Sequence, residues 1–332
     1  MSSSPKQDGI SRRDFLSRSA KAGVIIAATG SLGYWLYDGT GPELGGVKTA
    51  GSVVLPNFSV PGMEAGMSLI HGADRVKAVQ LGLKAIGGID AFIKPGDKVL
   101  IKVNAAFATP SILSATTNPE LLAEVVRLCI QAGAAEVVVT DNPINDPASC
   151  FALTGIGEAA RSSGAKLILP KENLFQLTTV EGASLIREWP LLYEPFDGVN
   201  KVIGTAPVKD HHRSGASMTM KNWYGLLGGR RNIFHQNIHD CIMELAMMIK
   251  PTLVILDGTF TMMTNGPTGG SLSDLKQTNT MIVSTDQVAA DAFGATLLGK
   301  TVHDLPHILK AQAAGVGTAD YESLKPARAS VG

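Results

Sequence analysis

A strand, a helix and a second strand can be read in succession near the middle of the first half of the chain, and this order most constrains the fold. The first segment, 98–103, is β-branched and apolar and follows a Pro-Gly-Asp turn. Asn118 is placed to cap the helix that follows, with Pro119 at its first position. A buried strand at 137–139 closes the unit. Two strands joined in this way pair in parallel through a right-handed crossover.

The same alternation continues towards the end of the chain. Further segments with strand or helix patterns lie at 148–162, 166–169, 199–206, 236–249, 253–257 and 281–284. The pattern predicts an α/β fold of mostly parallel sheets flanked by helices, arranged as two packed lobes. The less regular stretch 170–200 is interpreted as their connection. We therefore expect an N-terminal lobe at 46–195 and a C-terminal lobe at 196–332.

A twin-arginine export signature lies near the N-terminus. The order Ser-Arg-Arg-Asp-Phe-Leu at 11–16 precedes an uncharged stretch from Ala22 to Tyr37. This stretch suits the hydrophobic region of a signal and is shorter than the roughly 20 apolar residues of a bilayer span. The alternative interpretation is an ordinary helix start with two incidental arginines. Residues 1–45 are thus predicted to engage the twin-arginine export machinery and to direct the protein to the periplasm.

Two further expectations follow from this export signature. No clean small-x-small cleavage site follows Tyr37, so an uncleaved N-terminal segment is a possible means of retention at the membrane. The route carries proteins that have already folded, and its cargo often holds a cofactor or a partner acquired in the cytoplasm. The signature therefore suggests a cofactor without identifying it.

Composition argues against two classes of function. The 29 lysines and arginines balance the 29 aspartates and glutamates, and no basic block is present, so nucleic acid is not an expected partner. Cys129, Cys150 and Cys241 are far apart and form no Cys-x-x-Cys or ferredoxin-like run. The sequence therefore contains no iron–sulfur cysteine motif and no cysteine zinc cage.

Polar residues follow several predicted strands at the point where each strand ends. Lys102 lies at the end of the first and Asn104 follows it, Asp141 follows the second and Asp257 a later one. Open α/β sheets bind ligands at this carboxyl edge, where helix N-termini also point. The alternative is that these residues only start turns or cap helices. Their recurrence predicts a crevice for a small anionic ligand.

The segment 207–225 is the densest in chemically useful side chains. It holds adjacent histidines at 211 and 212 and cations at 209, 213 and 221. Histidine can move a proton near neutral pH, and lysine can hold an anion or form an imine. We expect His211 and Lys221 to be catalytic. The residues expected to bind the substrate or anion are Lys102, Asn104, Lys209, Asn222 and Gly266. The alternative is a solvated loop before a helix.

Gly266 belongs to a Gly-Pro-Thr-Gly-Gly turn that offers backbone amides to a phosphate. The turn lacks the Gly-Lys-Ser ending of a P-loop. A hairpin or a lid is the alternative interpretation of the same residues.

A divalent metal is a possible cofactor. His235 and His239 have the i, i+4 spacing of metal ligands, although the Glu of a His-Glu-x-x-His motif is missing. With Asp257 and Asp291 they form a nitrogen and oxygen ligand set that suits a first-row metal. The alternatives are that His239 caps or packs a helix, and that the site contains lysines and no metal.

These motifs resemble the family known as domain of unknown function 362, over about residues 95–300. The most specific matches are Lys209-x-His211 and Thr219-x-Lys221-Asn222. The resemblance implies an α/β protein without an assigned activity, often found beside iron–sulfur modules. A redox partner protein is therefore a further expectation, and any cluster would lie on that partner.

The sequence is also similar, more faintly, to the nickel-pincer lactate racemases. In those enzymes a histidine lies ten residues before a lysine in a Gly/Ser/Thr-rich loop, as His211 does before Lys221. The resemblance implies that the lysine tethers a cofactor and that the histidine moves a proton. His235 and His239 are the candidates for a metal-binding histidine further along the chain.

Two hypotheses about function follow. The first is an exported enzyme that binds a small anionic substrate or cofactor in the sheet-edge crevice, with proton transfer by His211. The second is a ligand-binding or accessory protein without catalytic activity that serves an exported iron–sulfur or redox system. The two classes differ in turnover.

Overall fold

The computed structural model describes residues 48–332, and its central feature is a sheet of nine strands. The strands that lie side by side follow the order β12-β2-β11-β10-β8-β3-β4-β5, and β9 pairs with β8. Their bounds are β2 Met67–His71, β3 Lys98–Lys102, β4 Glu136–Thr140, β5 Lys166–Ile168, β8 Lys201–His211, β9 Gly215–Ser217, β10 Leu253–Met262, β11 Leu275–Ser284 and β12 Ala327–Ser330. A separate sheet contains β1 Lys48–Val53, β6 Phe175–Thr178 and β7 Trp189–Leu192.

Helices connect these strands and cover both faces of the large sheet. They are α1 Arg75–Ala85, α2 Ile89–Phe92, α3 Pro119–Gln131, α4 Pro147–Leu153, α5 Ile156–Ser162, α6 Thr219–Asn222, α7 Ile238–Met248, α8 Gln287–Leu297 and α9 Pro306–Ala313. The predicted cap is confirmed, because Asn118 accepts a hydrogen bond from the backbone N–H of Glu120 at 2.9 Å. No helix in the described range is long and apolar enough to span a membrane.

Alternation along the strands gives the sheet an apolar core on each face. In β3, Val99 and Ile101 pack with α1, α3 and α5, whereas Leu100 packs on the other side with α7, α8 and α9. All three side chains are fully buried. A strand buried on both faces is continuously apolar, as the sequence pattern indicated.

The strands are mostly parallel, as predicted. Five neighbours, β5, β4, β3, β8 and β10, run in the same direction, while β11 runs antiparallel to β10 and to β2. The loops after β3, β4 and β8 consequently meet at one edge of the sheet. This edge carries Lys102, Asn104 and Asp141 as the sequence indicated, but not Asp257, which lies within β10.

The expected boundary between lobes at residue 195 falls between β7 and β8. The large sheet crosses it, because β3 pairs with β8 from Val99↔Lys201 to Lys102↔Gly204. Residues 48–332 belong to one compact unit by their contacts. The stretch 170–200 holds β6 and β7 of the small sheet.

Three elements differ from the sequence prediction. β8 continues through Pro207 to His211. Its pairing with β3 ends at Gly204, so no backbone N–H is needed at Pro207 for a hydrogen bond to β3. β10 extends beyond Asp257 to Met262 because β11 pairs along its full length. The helix expected at 148–162 is two helices, separated at Gly155, whose φ is 75°.

The predicted twin-arginine signal and tether at 1–45 lie outside the described residues.

Candidate functional site

A cavity of about 420 Å³ opens at the carboxyl edge of the parallel strands. Seven of the side chains that the sequence suggested contribute to its lining. They are Lys102, Asn104, Lys209, His211, Lys221, Asn222 and His235. Asp141, His212, Arg213, Tyr224 and Arg231 also line it. The fold therefore brings together residues that are more than 130 positions apart in the sequence.

Strand geometry places three of these side chains. Lys102 is the last residue of β3, and Lys209 and His211 are two apart in β8. Because side chains alternate along a strand, Lys209 and His211 point to the same side of β8. The short hairpin to β9 then leads into α6, which carries Lys221.

Lys102 forms a buried ion pair with Asp141. Its Nζ lies 2.7 Å from Asp141 Oδ1 and also donates to the carbonyl of Val103 at 2.7 Å. The other carboxylate oxygen accepts the backbone N–H of Ala105 at 2.6 Å. Both charged groups are therefore satisfied within the protein, as a buried pair requires.

Gly225 allows this ion pair to form. A Cβ on Gly225 would lie 2.1 Å from Asp141 Oδ1 and 2.8 Å from Lys102 Nζ. Only a residue without a side chain leaves room for the two charges at this point.

Two asparagines link the lysines at the floor of the cavity. Asn222 Oδ1 accepts from Lys102 Nζ at 3.1 Å and from Asn104 Nδ2 at 3.2 Å. Asn104 Oδ1 in turn accepts from Lys209 Nζ at 3.2 Å. Lys209 also donates to the carbonyl of Ala115 and lies 5.2 Å from the centre of the Phe107 ring. This network holds Lys102 and Lys209 in fixed positions.

Lys221 has a different environment. Its Nζ lies 4.9 Å from the centre of the Tyr224 ring, and no described residue accepts a hydrogen bond from it. The helix that carries it begins at Thr219, whose backbone N–H donates to Asp291 Oδ1 at 2.8 Å. The N–H of Met220 donates to Asp291 Oδ2 at 3.1 Å. Asp291 therefore fixes the start of α6 from outside the cavity.

The hydrogen bonds of His211 define which of its nitrogens carries the proton. His211 Nδ1 accepts the backbone N–H groups of Arg213 at 3.1 Å and Ser214 at 3.3 Å. A neutral imidazole with an accepting Nδ1 carries its proton on Nε2. Burial, with Lys221 next in effect, lowers the pKa of His211 to about 2, so this ring is neutral.

His235 stacks on His211 and has the opposite arrangement. Their ring centroids are 5.9 Å apart with an interplanar angle of 11°. His235 Nδ1 lies 3.2 Å from the carbonyl oxygen of Asn232, which can only accept, so Nδ1 carries the proton. The two rings together offer an N–H donor on His211 and a lone pair on His235. Burial also lowers the pKa of His235.

The cavity has an excess of positive charge. Three lysines and two arginines line it against one carboxylate, Asp141. Burial, with Lys221 contributing next, lowers the pKa of Lys209 to about 7, and burial lowers the pKa of Lys221 to about 8. Arg231 is occupied by carbonyl groups, including that of Asn142 at 2.8 Å from Nη2. An anion in the cavity would relieve the repulsion among the lysines.

The four residues expected to bind a metal do not form one site. Asp257 lies within β10 and not at its end, and its Oδ2 accepts from Arg75 Nε at 2.7 Å. Asp291 caps α6, and His239 Nδ1 lies 3.1 Å from Nδ1 of His307. His235 precedes α7 in a 3₁₀ turn, so the i, i+4 pair does not share a helix. Residues 48–332 contain no group of three or more His, Cys, Asp or Glu side chains suited to a metal ion.

Gly266 lies beside the cavity rather than in its lining. A Cβ there would lie 1.9 Å from the carbonyl oxygen of Asp210, and its own carbonyl is 3.3 Å from His212 Nδ1. Its neighbours Pro267 and Thr268 reach the lining. The turn is part of the connection between β10 and β11 and packs on the end of β8.

A second cavity, of about 600 Å³, lies elsewhere in the described structure. Its ionisable lining residues are Glu181 and Lys250, and both are exposed. It lacks the buried charges of the smaller cavity, and we therefore take the smaller one as the candidate site.

The sequence did not indicate Tyr224 or Arg231 as site residues. Tyr224 donates its hydroxyl to the carbonyl of Arg231, and Arg231 Nη1 donates back to the carbonyl of Tyr224 at 3.2 Å. Both side chains are buried. Tyr224 lies within the segment 207–225 that the sequence singled out, and Arg231 follows Lys221 by ten residues.

Known proteins offer two similarities to this chain. A thylakoid-associated protein of Synechocystis sp. is 26% identical over 225 residues, which cover 63% of this chain and 65% of that protein. The chain thus spans less than two thirds of the length of this relative. The solved structure of the lactate racemase apoprotein from Thermoanaerobacterium thermosaccharolyticum matches with a TM-score of 0.38 and 12% identity. That match covers 71% of this chain and 57% of the racemase chain.

A protein-family model matches the residues that form most of the large sheet. The profile described as Domain of unknown function (DUF362) matches residues 99–296, a range that runs from β3 through α8 and includes every cavity residue described above. The match extends over more than half of the sequence. This chain therefore belongs to the DUF362 family.

Proposed function

We propose that this protein is an exported enzyme that binds a small anionic substrate in the 420 Å³ cavity and transfers a proton there. The observation that carries the proposal is the excess of buried positive charge: three buried lysines and the buried Arg231 share the lining with one carboxylate, while the second lining arginine, Arg213, is exposed. Buried charges are costly unless they are paired. A bound anion would supply the missing negative charge.

The cations differ in their availability to a ligand. Lys102 is paired with Asp141, and Arg231 donates to backbone carbonyls, so both mainly stabilise the structure around the cavity. Lys209 and Lys221 have no carboxylate partner among the described residues. These two would provide most of the attraction for the anion.

Proton transfer would use the pair of stacked histidines. His211 presents Nε2–H because its Nδ1 is occupied by two backbone N–H groups. His235 has its proton on Nδ1 and a free lone pair on Nε2. One ring is thus suited to donate a hydrogen bond to a substrate oxygen, and the other to accept a proton.

The resemblance to lactate racemases implies a tethered group that brings its own metal. The cavity offers residues for such a group: Lys221 has an amine without a hydrogen-bond acceptor among the described residues, and His211 and His235 lie in the same lining. When bound, the group would supply a metal centre beside the histidines. A free metal ion held by the protein alone is not supported, because the described residues lack a suitable ligand cluster.

Periplasmic export and retention at the membrane remain part of the proposal. The twin-arginine motif supports export, and the relative named above is described as thylakoid-associated. The competing class, an accessory protein for a redox system, predicts binding without turnover.

Matched variants test the proposal. Lys209→Met and His211→Ala should weaken the binding of small carboxylates by about tenfold or more, whereas His303→Ala, at an exposed position remote from the cavity lining, should not. Thermal melts of each variant separate lost binding from lost folding. Normal anion binding by both folded variants would contradict the proposed site.

A further inference from the structure

The three lysines of the cavity differ in how their amines are used. Lys102 Nζ reaches Asp141, Val103 and Asn222, and Lys209 Nζ reaches Asn104 and Ala115. Among residues 48–332, Lys221 Nζ contacts only the face of the Tyr224 ring, and Lys221 is nine-tenths buried. Lys221 is thus the cavity lysine whose amine is free to react.

The surroundings of Lys221 favour its neutral form. No described carboxylate pairs with it, and the neighbouring thiol of Cys241 is uncharged because burial raises its pKa to about 12. Burial lowers the pKa of Lys221 itself to about 8, and nearby Arg231 acts in the same direction. A desolvated lysine beside other cations is a good nucleophile near neutral pH.

We propose that Lys221 forms an imine with the carbonyl carbon of a small 2-oxo acid whose carboxylate is held by the other cations of the cavity. This inference rests on the proposed anion site and specifies its substrate class. It excludes a group tethered to Lys221, because one amine cannot hold both. A 2-oxo acid fits the cavity in two ways. Its carboxylate is attracted by the excess positive charge, and its adjacent carbonyl carbon can be attacked by the free amine.

The step is balanced without another reactant. The amine nitrogen attacks the carbonyl carbon and forms a C–N bond, and the carbonyl oxygen becomes a hydroxyl group. The C–O bond then breaks, and both amine protons leave with that oxygen as water. Nothing is oxidised or reduced. The resulting imine draws electrons from the adjacent carbon, where a histidine could remove or deliver a proton.

Reductive trapping tests the inference on the natively exported full-length protein. Pyruvate is added with cyanoborohydride, and the protein is then analysed by intact mass and by peptide mapping. We expect a single adduct, located on Lys221, that is lost in Lys221→Met and retained in the exposed-site control Lys276→Met. Acetone, a ketone without a carboxylate, should give no adduct at the same concentration. Propionate, a carboxylate without a ketone, should slow trapping by pyruvate.

The outcomes separate this inference from the proposed function. If propionate binds in the cavity but pyruvate leaves Lys221 unmodified, the imine is refuted and the anion site stands. If neither compound binds, the proposed function fails as well. An adduct spread over many surface lysines would refute the inference. A group already attached to Lys221 in the protein as purified would also refute it. Peptide mapping locates the adduct in the wild-type protein, so the result does not depend on whether the Lys221→Met variant folds.

Discussion

The ammonium of Lys102 lies 2.7 Å from the carboxylate of Asp141, and both side chains are almost completely inaccessible to solvent. The last residue of β3 is thus joined to the residue that follows β4. Asp141 is the one carboxylate that the described residues contribute to the cavity lining, and its charge is neutralised by Lys102. The charge of Lys209 and Lys221 is consequently left for a ligand.

Gly225→Ala should disrupt this ion pair. The added Cβ would lie 2.1 Å from Asp141 Oδ1, so the carboxylate must move away from Lys102. Breaking a buried pair costs about 3–5 kcal/mol, and we expect a loss of this order in the free energy of unfolding. Gly270→Ala is the control, because nothing lies within 4 Å of the Cβ it would add. Urea denaturation measures both, and equal stability of the two variants would refute the steric argument.

Anion binding should take up protons at pH 8. The pKa of Lys209 is lowered to about 7, so its amine is mostly neutral at this pH, and a bound anion favours the charged form and raises that pKa. At pH 6 the amine is already protonated and uptake should be smaller. Calorimetric titrations in buffers of different ionisation enthalpy measure the protons exchanged. Proton release at pH 8 would have the wrong sign for this account.

Asp291→Ala should weaken both the fold and the site. The substitution leaves the backbone N–H groups of Thr219 and Met220 buried without acceptors, at a cost of about 2–4 kcal/mol for the two. It also frees the start of the helix that carries Lys221. Asp74→Ala removes an exposed helix cap, at α1, and should cost only about 1 kcal/mol. Chemical denaturation compares them, and a smaller loss for Asp291→Ala would contradict the buried capping role.

Acid should destabilise the protein partly through His307. Burial, with His239 next, lowers the pKa of His307 to about 3 from an ordinary value of 6.5. Between these values the unfolded chain binds more protons than the folded one, so stability falls as pH decreases from 6.5 towards 3. His307→Asn, which cannot titrate, should show a shallower decline. Exposed His303→Asn serves as the control. Parallel pH profiles of wild type and His307→Asn would exclude this contribution.

Export should depend on the paired arginines. Replacing both by lysine, Arg12→Lys with Arg13→Lys, keeps the charge but removes the guanidinium groups that the export receptor recognises. The precursor should then accumulate in the cytoplasm of a host that has the twin-arginine machinery. The control is Arg18→Lys, which lies outside the motif. Normal recovery of the double variant in the periplasm or membrane would refute the twin-arginine interpretation.

Much of the fold could be predicted because local signals agree with it. Apolar runs such as 99–101 become the buried part of a strand, and Asn118 with Pro119 starts a helix in the expected place. The prediction that Asp257 follows the end of its strand was wrong, because pairing with β11 prolongs β10. No local signal near residue 257 indicates that pairing. Long-range pairing therefore overrode a correct local pattern.

The site could be predicted only where strand ends supplied the residues. Lys102 and Lys209 line the same cavity because β3 and β8 are parallel neighbours. Arg231 was missed because its partners include the carbonyls of Asn142 and Pro143, 89 and 88 positions away. Backbone carbonyls leave no trace in a sequence motif. The same holds for the contact between Asp291 and α6.

The most direct test of the central claim compares carboxylates with the amides of the same shape. Calorimetric titrations of the full-length wild-type protein at low ionic strength would use propionate and propionamide, malonate and malonamide, and benzoate and benzamide. The account predicts that at least one carboxylate binds about tenfold or more tightly than its amide, and that Lys221→Met abolishes this preference. Absence of any preference for the charged member in all three pairs would contradict an anion site in this cavity.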